Sequence, residues 1–254
     1  MPAITGFLAK FFVWSFIWKW IKRIVLGFFI LSIASVLLFS IPGLPTPYNF
    51  LMYQRCVEQK MDGQTVKLYR DWVDFEDISK FVPLAVVCAE DQNYLKHNGF
   101  DYGAIQKAMK YNEKMEKKGK SKRRGASTIS QQTAKNVFLW PGRSWIRKGF
   151  EVYFTFLIEI FWKKERIMEV YLNNIELGNG VYGVEAASHD FLNKSAKNLS
   201  AKDAALIAVV LPNPRKFSIQ HPSPYIRKRQ AWCYQQMKFW GMHLDFDKED
   251  EDEK

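Results

Sequence analysis

A mainly α-helical domain behind one N-terminal transmembrane helix is the fold class that this 254-residue sequence predicts. Three observations predict it. The run Ile24 to Ile41 carries no charge and almost no polarity. Apolar residues recur at helical spacing over 146–175 and 200–211. Strand-like alternation is scarce. Hydrophobic residues make up 48% and aromatics 16% of the chain, enough for a large core with apolar surface left over for a membrane.

In residues 1–23 Phe, Trp and Ile alternate with Lys10, Lys19, Lys22 and Arg23. That mixture suits a membrane interface, where Trp sits at headgroup depth and Lys reaches phosphates. Residues 24–44 form the expected span, with Pro42, Gly43 and Leu44 as its exit; crossing the hydrocarbon core takes ~20 apolar residues. A cleaved signal peptide is the rival reading, but its apolar region is shorter, ~7–15 residues, and ends in a small-x-small site. No good site follows Ile41, so an uncleaved anchor is expected. The basic residues precede the span. That puts the N-terminus in the cytoplasm and everything after Pro42 outside, in a periplasm or at the outer membrane face.

Pro42, Pro45 and Pro47 mark the boundary to a soluble domain over 45–243. Residues 48–80 read as a short helix, a turn at Asp62-Gly63 and an extended piece from Thr65 to Tyr69. Residues 83–97 read as a helix that Gly99 ends. Residues 101–118 read as a helix that becomes Lys-rich and runs into the basic stretch 117–125, either a solvated loop or a holder of anionic lipid. Ser127 is the expected N-cap of the next helix. Residues 146–175, 184–193 and 200–211 follow as helices, the last nearly all apolar and therefore central. Pro212 and Pro214 end it, 225–240 is a final amphipathic helix, and 244–254 reads as an acidic disordered tail.

A net charge of +11 points to an anionic partner: nucleic acid, anionic lipid or a phosphorylated substrate. Cys56, Cys88 and Cys233 fit no metal spacing, and an odd count argues against a complete disulfide framework. No zinc, P-loop or dinucleotide motif and no internal repeat is evident.

The chemistry-bearing stretch starts at Glu90-Asp91, two carboxylates closing the apolar run Phe81 to Ala89. A buried carboxylate needs a hydrogen bond, an ion pair or a catalytic task. Continued as a helix, the segment puts Glu90, Tyr94 and His97 on one face. One reading is a base of raised pKa at a cleft edge; the other is a helix-end acid paired with Lys or Arg. Further on, Thr128, Gln131, Gln132 and Lys135 share a helix face that could hold a sugar and a phosphate, or could simply be a capped, solvated face. Arg143, Arg147 and Lys148 beside Glu151 suit a diphosphate, or form a surface ion-pair network of little energetic worth. Glu169 and Asn173, at i and i+4, read as mutual structural support.

Taken together and in order, Glu-Asp-x-x-Tyr-x-x-His-x-Gly (90–99), Gly-x-Ser-Thr-Ile-x-Gln-Gln-x-x-Lys-Asn (125–136), Arg-Lys-x-x-Glu (147–151) and Lys-x-x-Ile-x-Glu-x-Tyr-x-Asn (164–173) resemble the peptidoglycan glycosyltransferases that polymerise lipid II. The resemblance runs from about Trp72 to Pro214. The segment Gln131 to Lys148 is similar to the monofunctional biosynthetic transglycosylases among them, and a chain ending at residue 254 leaves no room for a transpeptidase domain. The resemblance implies a lysozyme-like, two-lobed helical domain. It places the catalytic base on Glu90, the second cleft glutamate on Glu151, and the phosphate contacts on Lys135 and Arg143, with Arg147 and Lys148 nearby. Asp91, His97, Ser127, Thr128, Gln131 and Gln132 belong to the same implied site. The implied reaction polymerises lipid II into β-1,4-linked strands with inversion and release of undecaprenyl diphosphate. A Mg2+ or Mn2+ ion bridging the substrate diphosphate is compatible with it, and no organic cofactor is expected. The implied partners are lipid II, the growing lipid-linked glycan, membrane lipid and other cell-wall synthesis proteins, with no nucleic acid. Departures from the pattern are Tyr94 for Phe, Ala126 for Gly, Leu192 for an aromatic and Asp203 for Glu. The competing readings are a membrane-bound lytic glycosidase of the same fold class, which needs no diphosphate site, and a non-enzymatic scaffold of the cell-wall machinery.

Overall fold

The computed structural model describes residues 2–121 and 123–246. The side chains of residues 1–13 and 15, Lys10 among them, lie outside that description, as do Lys122 of the basic run and residues 247–254 of the expected acidic tail.

Helix α1 (Pro2–Phe39) is unbroken, so the aromatic-basic segment and the apolar run are one element and not two. Its stretch Phe16–Phe39, 24 residues, is long and apolar enough to cross a membrane. Most of that stretch is exposed. Its inner face meets α6 (Trp145–Phe161): Ser32 Oγ and Tyr153 Oη are 2.7 Å apart, and Phe28 packs against Phe150 and Tyr153. Trp162 Nε1 donates to the Val36 carbonyl at 2.7 Å.

After the Pro-rich exit come α2 (Phe50–Met61), capped by Asn49, and a turn at Asp62-Gly63. A three-stranded sheet then appears that the sequence did not announce. Strand β1 (Tyr69–Arg70) runs parallel to β3 (Val181–Tyr182), and β2 (Glu176–Gly178) pairs antiparallel to β3, in the order β1-β3-β2.

The remaining helices form two groups. In the first, α3 (Phe81–Glu90), α9 (Ala201–Val210) and α10 (Pro224–Phe239) pack on one another. Val82 through Cys88 of α3 are buried, as are Ala204 through Val210 of α9, as expected of nearly continuous apolar runs. Cys88 and Cys233 meet at this contact, both thiols free, while Cys56 on α2 is half-buried. Asp203 serves as the carboxylate of a capping box with Ser200, so this departure from Glu keeps the helix start intact. In the second group, α5 (Ile129–Phe138) packs against α6 and α7 (Lys164–Asn174). Nearly every residue of α7 is buried. The helix expected over 146–175 is thus two, broken at Trp162–Lys163. α4 (Tyr102–Glu116) leads into the basic loop, and α8 (Val184–Leu192) links the sheet to α9.

Three more expectations need correction. Helix α3 stops at Glu90 and Asp91 leaves helical geometry (φ −153°), so Glu90, Tyr94 and His97 do not share a helix face. The N-cap of α5 is Thr128, one residue beyond Ser127. Glu169 and Asn173 join side chain to backbone and not side chain to side chain: Asn173 Nδ2 donates to the Glu169 carbonyl at 2.9 Å. Asn173 bonds the Val73 backbone at N–H and C=O, and Glu169 pairs with Arg166. At the C-terminal end, Leu244 is buried and Phe246 packs edge-on to Phe75, so the fold holds the chain through the first residues assigned to the tail.

The β2–β3 turn depends on Gly180, at φ +70°; a Cβ there would lie 2.1 Å from the Lys67 carbonyl oxygen. Gly63 has the same φ with open space around it. Gly63→Ala should therefore cost only the left-handed penalty of roughly 1–2 kcal/mol. Gly180→Ala should cost clearly more, measured as midpoints of urea unfolding. Equal losses would mean that the turn has room to shift.

Candidate active site

The site forms where the two helix groups meet, and Asp91 makes the join. Its buried carboxylate accepts the Ile129 N–H at the start of α5 (3.0 Å) and faces His97 Nε2 at 3.0 and 3.1 Å. A carboxylate at a helix N-terminus satisfies an orphan donor and meets the positive end of the helix dipole. Around it most of the framework is bonded, while His97 Nδ1 is buried without a hydrogen-bond partner. Thr128 Oγ1 donates to the Gly99 carbonyl at 2.7 Å and accepts the Gln131 N–H. Gln131 Oε1 returns the favour to the Thr128 N–H, closing a capping box. Tyr94 Oη donates to the Lys164 carbonyl at 2.7 Å. Asp91, Thr128, His97 Nε2 and Gln131 Oε1 thus serve the architecture.

Glu90 is the last residue of α3 and is half-buried. Its Oε2 accepts from Gln132 Nε2 at 3.0 Å. Burial pushes its pKa up, and the neighbouring Asp91 carboxylate adds to this; the Gln132 hydrogen bond, Arg229 and Lys135 oppose it. Its place at the negative end of α3 acts in the same upward direction. A carboxyl so placed can take a proton from a substrate near neutral pH.

One turn beyond Gln132, Lys135 makes no hydrogen bond or ion pair among the described residues. Burial pulls its pKa down; Glu151 opposes this, and Arg147 and Lys148 add to it. Glu151 is buried and shared by Arg147 Nη1 at 3.2 Å and Lys148 Nζ. Three cations therefore surround one carboxylate, and Arg147 Nε is buried with no hydrogen-bond partner. The excess of positive charge and the unused donor suit a bound anion. Arg143 is exposed in the loop before α6 and is not brought into contact with this cluster. Of the two readings of 143–151, the ion-pair network describes Arg147, Lys148 and Glu151, and its uncompensated charge leaves the diphosphate reading open.

On the other side of Glu90 lies a cavity of about 400 Å³, lined by Glu90, Asp91, Ser127, Arg124, Arg229 and Trp232 among others. Ser127 is exposed there. Sequence reasoning missed Arg229 and Trp232, which stack with the guanidinium 4.2 Å from the ring centroid. Their only sequence signal is an Arg-x-x-Trp pair on an amphipathic helix. No three His, Cys, Asp or Glu side chains among the described residues converge as metal ligands.

A family model described as Transglycosylase matches residues 57–238. A protein of Bdellovibrio bacteriovorus named biosynthetic peptidoglycan transglycosylase is 54% identical over 217 residues, 85% of this chain and 84% of that protein. A Yersinia pseudotuberculosis protein of the same name is 49% identical over 228 residues, 89% of this chain and 92% of its own. A Yersinia pestis protein, again so named, is 48% identical over the same length.

A reaction that used Glu90 as base and Lys135 as cation would carry their shifts into its pH dependence. The acid limb of kcat/KM should lie above the ordinary carboxylate range, because Glu90 must be ionised to act and its pKa is raised. The alkaline limb should fall below ordinary lysine, because the lowered Lys135 pKa sheds the cation early. Gln132→Leu removes a bond that favours the ionised form and should move the acid limb further up. An unmoved limb would show that Glu90 is not the group titrating.

Proposed function

The chain belongs to the transglycosylase family, and from that premise we propose that Glu90 is its catalytic base and the Lys135 cluster its leaving-group site. The protein is a peptidoglycan glycosyltransferase with a mostly helical, lysozyme-like domain. Its substrates are lipid II and glycan.

In the proposed reaction the acceptor sugar hydroxyl loses its proton to Glu90 as its oxygen attacks the donor anomeric carbon. The new C–O bond is β-1,4. The bond from that carbon to the phosphate oxygen breaks on the opposite face, and the electron pair leaves with undecaprenyl diphosphate. A diphosphate is already a good leaving group, so cations can replace a protonating acid. Lys135, with Arg147 and Lys148 behind it, supplies preorganised positive charge where the negative charge builds. Arg143, on its exposed loop, joins when the donor binds. A Mg2+ or Mn2+ ion would take its ligands from phosphate oxygens and water, since the chain's described residues offer no ligand set for it. The observation that carries this reading is the pairing across Gln132: a carboxyl whose protonation is favoured, and a half-buried lysine that makes no ion-pair contact among the described residues.

The apolar helix α1 fits a single-pass anchor. We place its N-terminus in the cytoplasm, on the basic residues Lys19, Lys22 and Arg23, and the domain outside the inner membrane. Contacts between α1 and α6 fall at Phe28 to Ser32, inside the apolar span, so α6 reaches membrane depth. Exposed Phe156 and Ile160 on α6 then face lipid and not water.

Purified protein with lipid II should yield glycan polymer and should leave finished glycan uncut; cleavage of finished glycan would favour the lytic alternative. Glu90→Gln keeps the shape, removes the base and should lower polymerisation ~10²–10⁴-fold. Lys135→Ala should lower it ~10²–10³-fold with an unchanged melting curve. Near-normal turnover of either variant would assign the role elsewhere. Protease added to intact spheroplasts should digest the domain beyond Pro47, and protection would reverse the topology.

A further inference from the structure

We infer that Arg166 and Glu169 form a latch fixing the height of the cleft above the bilayer, which makes them positioning residues for catalysis on membrane-held substrate; this rests on the reading of the chain as a lipid II polymerase. Both side chains are 3% exposed. Arg166 lies on α7, yet its Nε donates to the carbonyl of Phe39 at 3.0 Å, the last residue of α1. Its Nη2 donates to the Leu44 carbonyl at 2.6 Å, just beyond the membrane exit. Nη1 sits 2.8 Å from Glu169 Oε1, an ion pair without hydrogen-bond alignment. The same carboxylate oxygen accepts the Gly43 N–H at 3.1 Å. Trp72 stacks on the guanidinium, 5.6 Å from its centre.

The end of a helix leaves carbonyls that water or a local turn usually satisfies. Here a rigid five-donor fork from another element takes one of them, and the partner acid takes the first amide past the proline. The anchor's end is thereby bonded to α7. The other end of this buried helix reaches the chemistry: Tyr171 Oη donates to Gln132 Oε1 at 3.4 Å, and Gln132 donates to Glu90 at 3.0 Å. Anchor, α7 and base form one bonded series. Substrates held by lipid tails present their reacting atoms at a fixed height, and an error of ~1 Å in such placement costs on the order of 10²-fold in rate.

The test replaces both partners together, R166M/E169Q, because removing one alone strands a buried charge. A second variant inserts Gly-Ser-Gly between Ile41 and Pro42, which keeps both side chains but uncouples the Phe39 carbonyl from the Gly43 N–H and Leu44 carbonyl that they hold in register. Each is assayed on full-length lipid II in vesicles and on a short-chain, water-soluble lipid II analogue without a bilayer. We expect both variants to stay folded and to match wild type on the soluble analogue, and to lose about tenfold or more on vesicles, through kcat. Equal losses on both substrates, or undiminished vesicle rates, would overturn the latch. Should the double variant fail to fold, the insertion decides alone. A wild-type chain silent on both substrates would overturn the polymerase reading itself and the latch's role with it.

Discussion

The carboxylate of Asp91 is the constraint on which the site depends. It ends one helix and begins another, accepting the first amide of α5 while it stands at the last turn of α3. An isolated buried charge would be costly, and this one is met by His97 and by the positive end of a helix dipole. The join ties the end of α3 to the start of α5. That is why Glu90 and Gln132, forty-two residues apart, lie within hydrogen-bond distance.

From that join the electrostatics diverge. Glu90 sits at the negative end of its helix beside a second carboxylate, half out of water, and holds its proton more tightly. Lys135 sits one turn past Gln132 among like charges and holds its proton less tightly. Burial drives both shifts, and both make the neutral form cheaper than it would be in water. In the proposed reaction a site so prepared gains most when substrate arrives: Glu90 accepts a proton readily, and Lys135 regains a counter-charge.

The helical plan was legible because apolar spacing fixes which face a helix buries, and long runs such as 201–210 admit few alternatives. Boundaries were less legible. Glu-Asp-Gln-Asn-Tyr reads as more helix, and the chain turns there because Asp91 gains more from the α5 amide than from another helical turn. The sheet was invisible because strands of two and three residues leave no period to detect. Glu90, Gln132 and Lys135 were legible as motif residues, and the structure brings Glu90 and Gln132 together. Arg229, Trp232 and the reach of Arg166 to α1 are contacts through space between distant segments, and nothing in local spacing encodes them. Gln131 shows a related limit: a helix-face argument places a side chain without knowing that its carbonyl oxygen already closes the capping box.

The thiols at the contact between α3 and α10 carry a practical consequence. Burial pushes Cys88 and Cys233 up to about 12 each, so at neutral pH neither offers the thiolate that alkylating reagents attack. Cys56, half-buried on α2, is the remaining cysteine. A maleimide dye offered to the native protein would thus mark one position outside the helix groups that build the cleft. The unaltered chain already carries a spectroscopic handle at a distance from its chemistry.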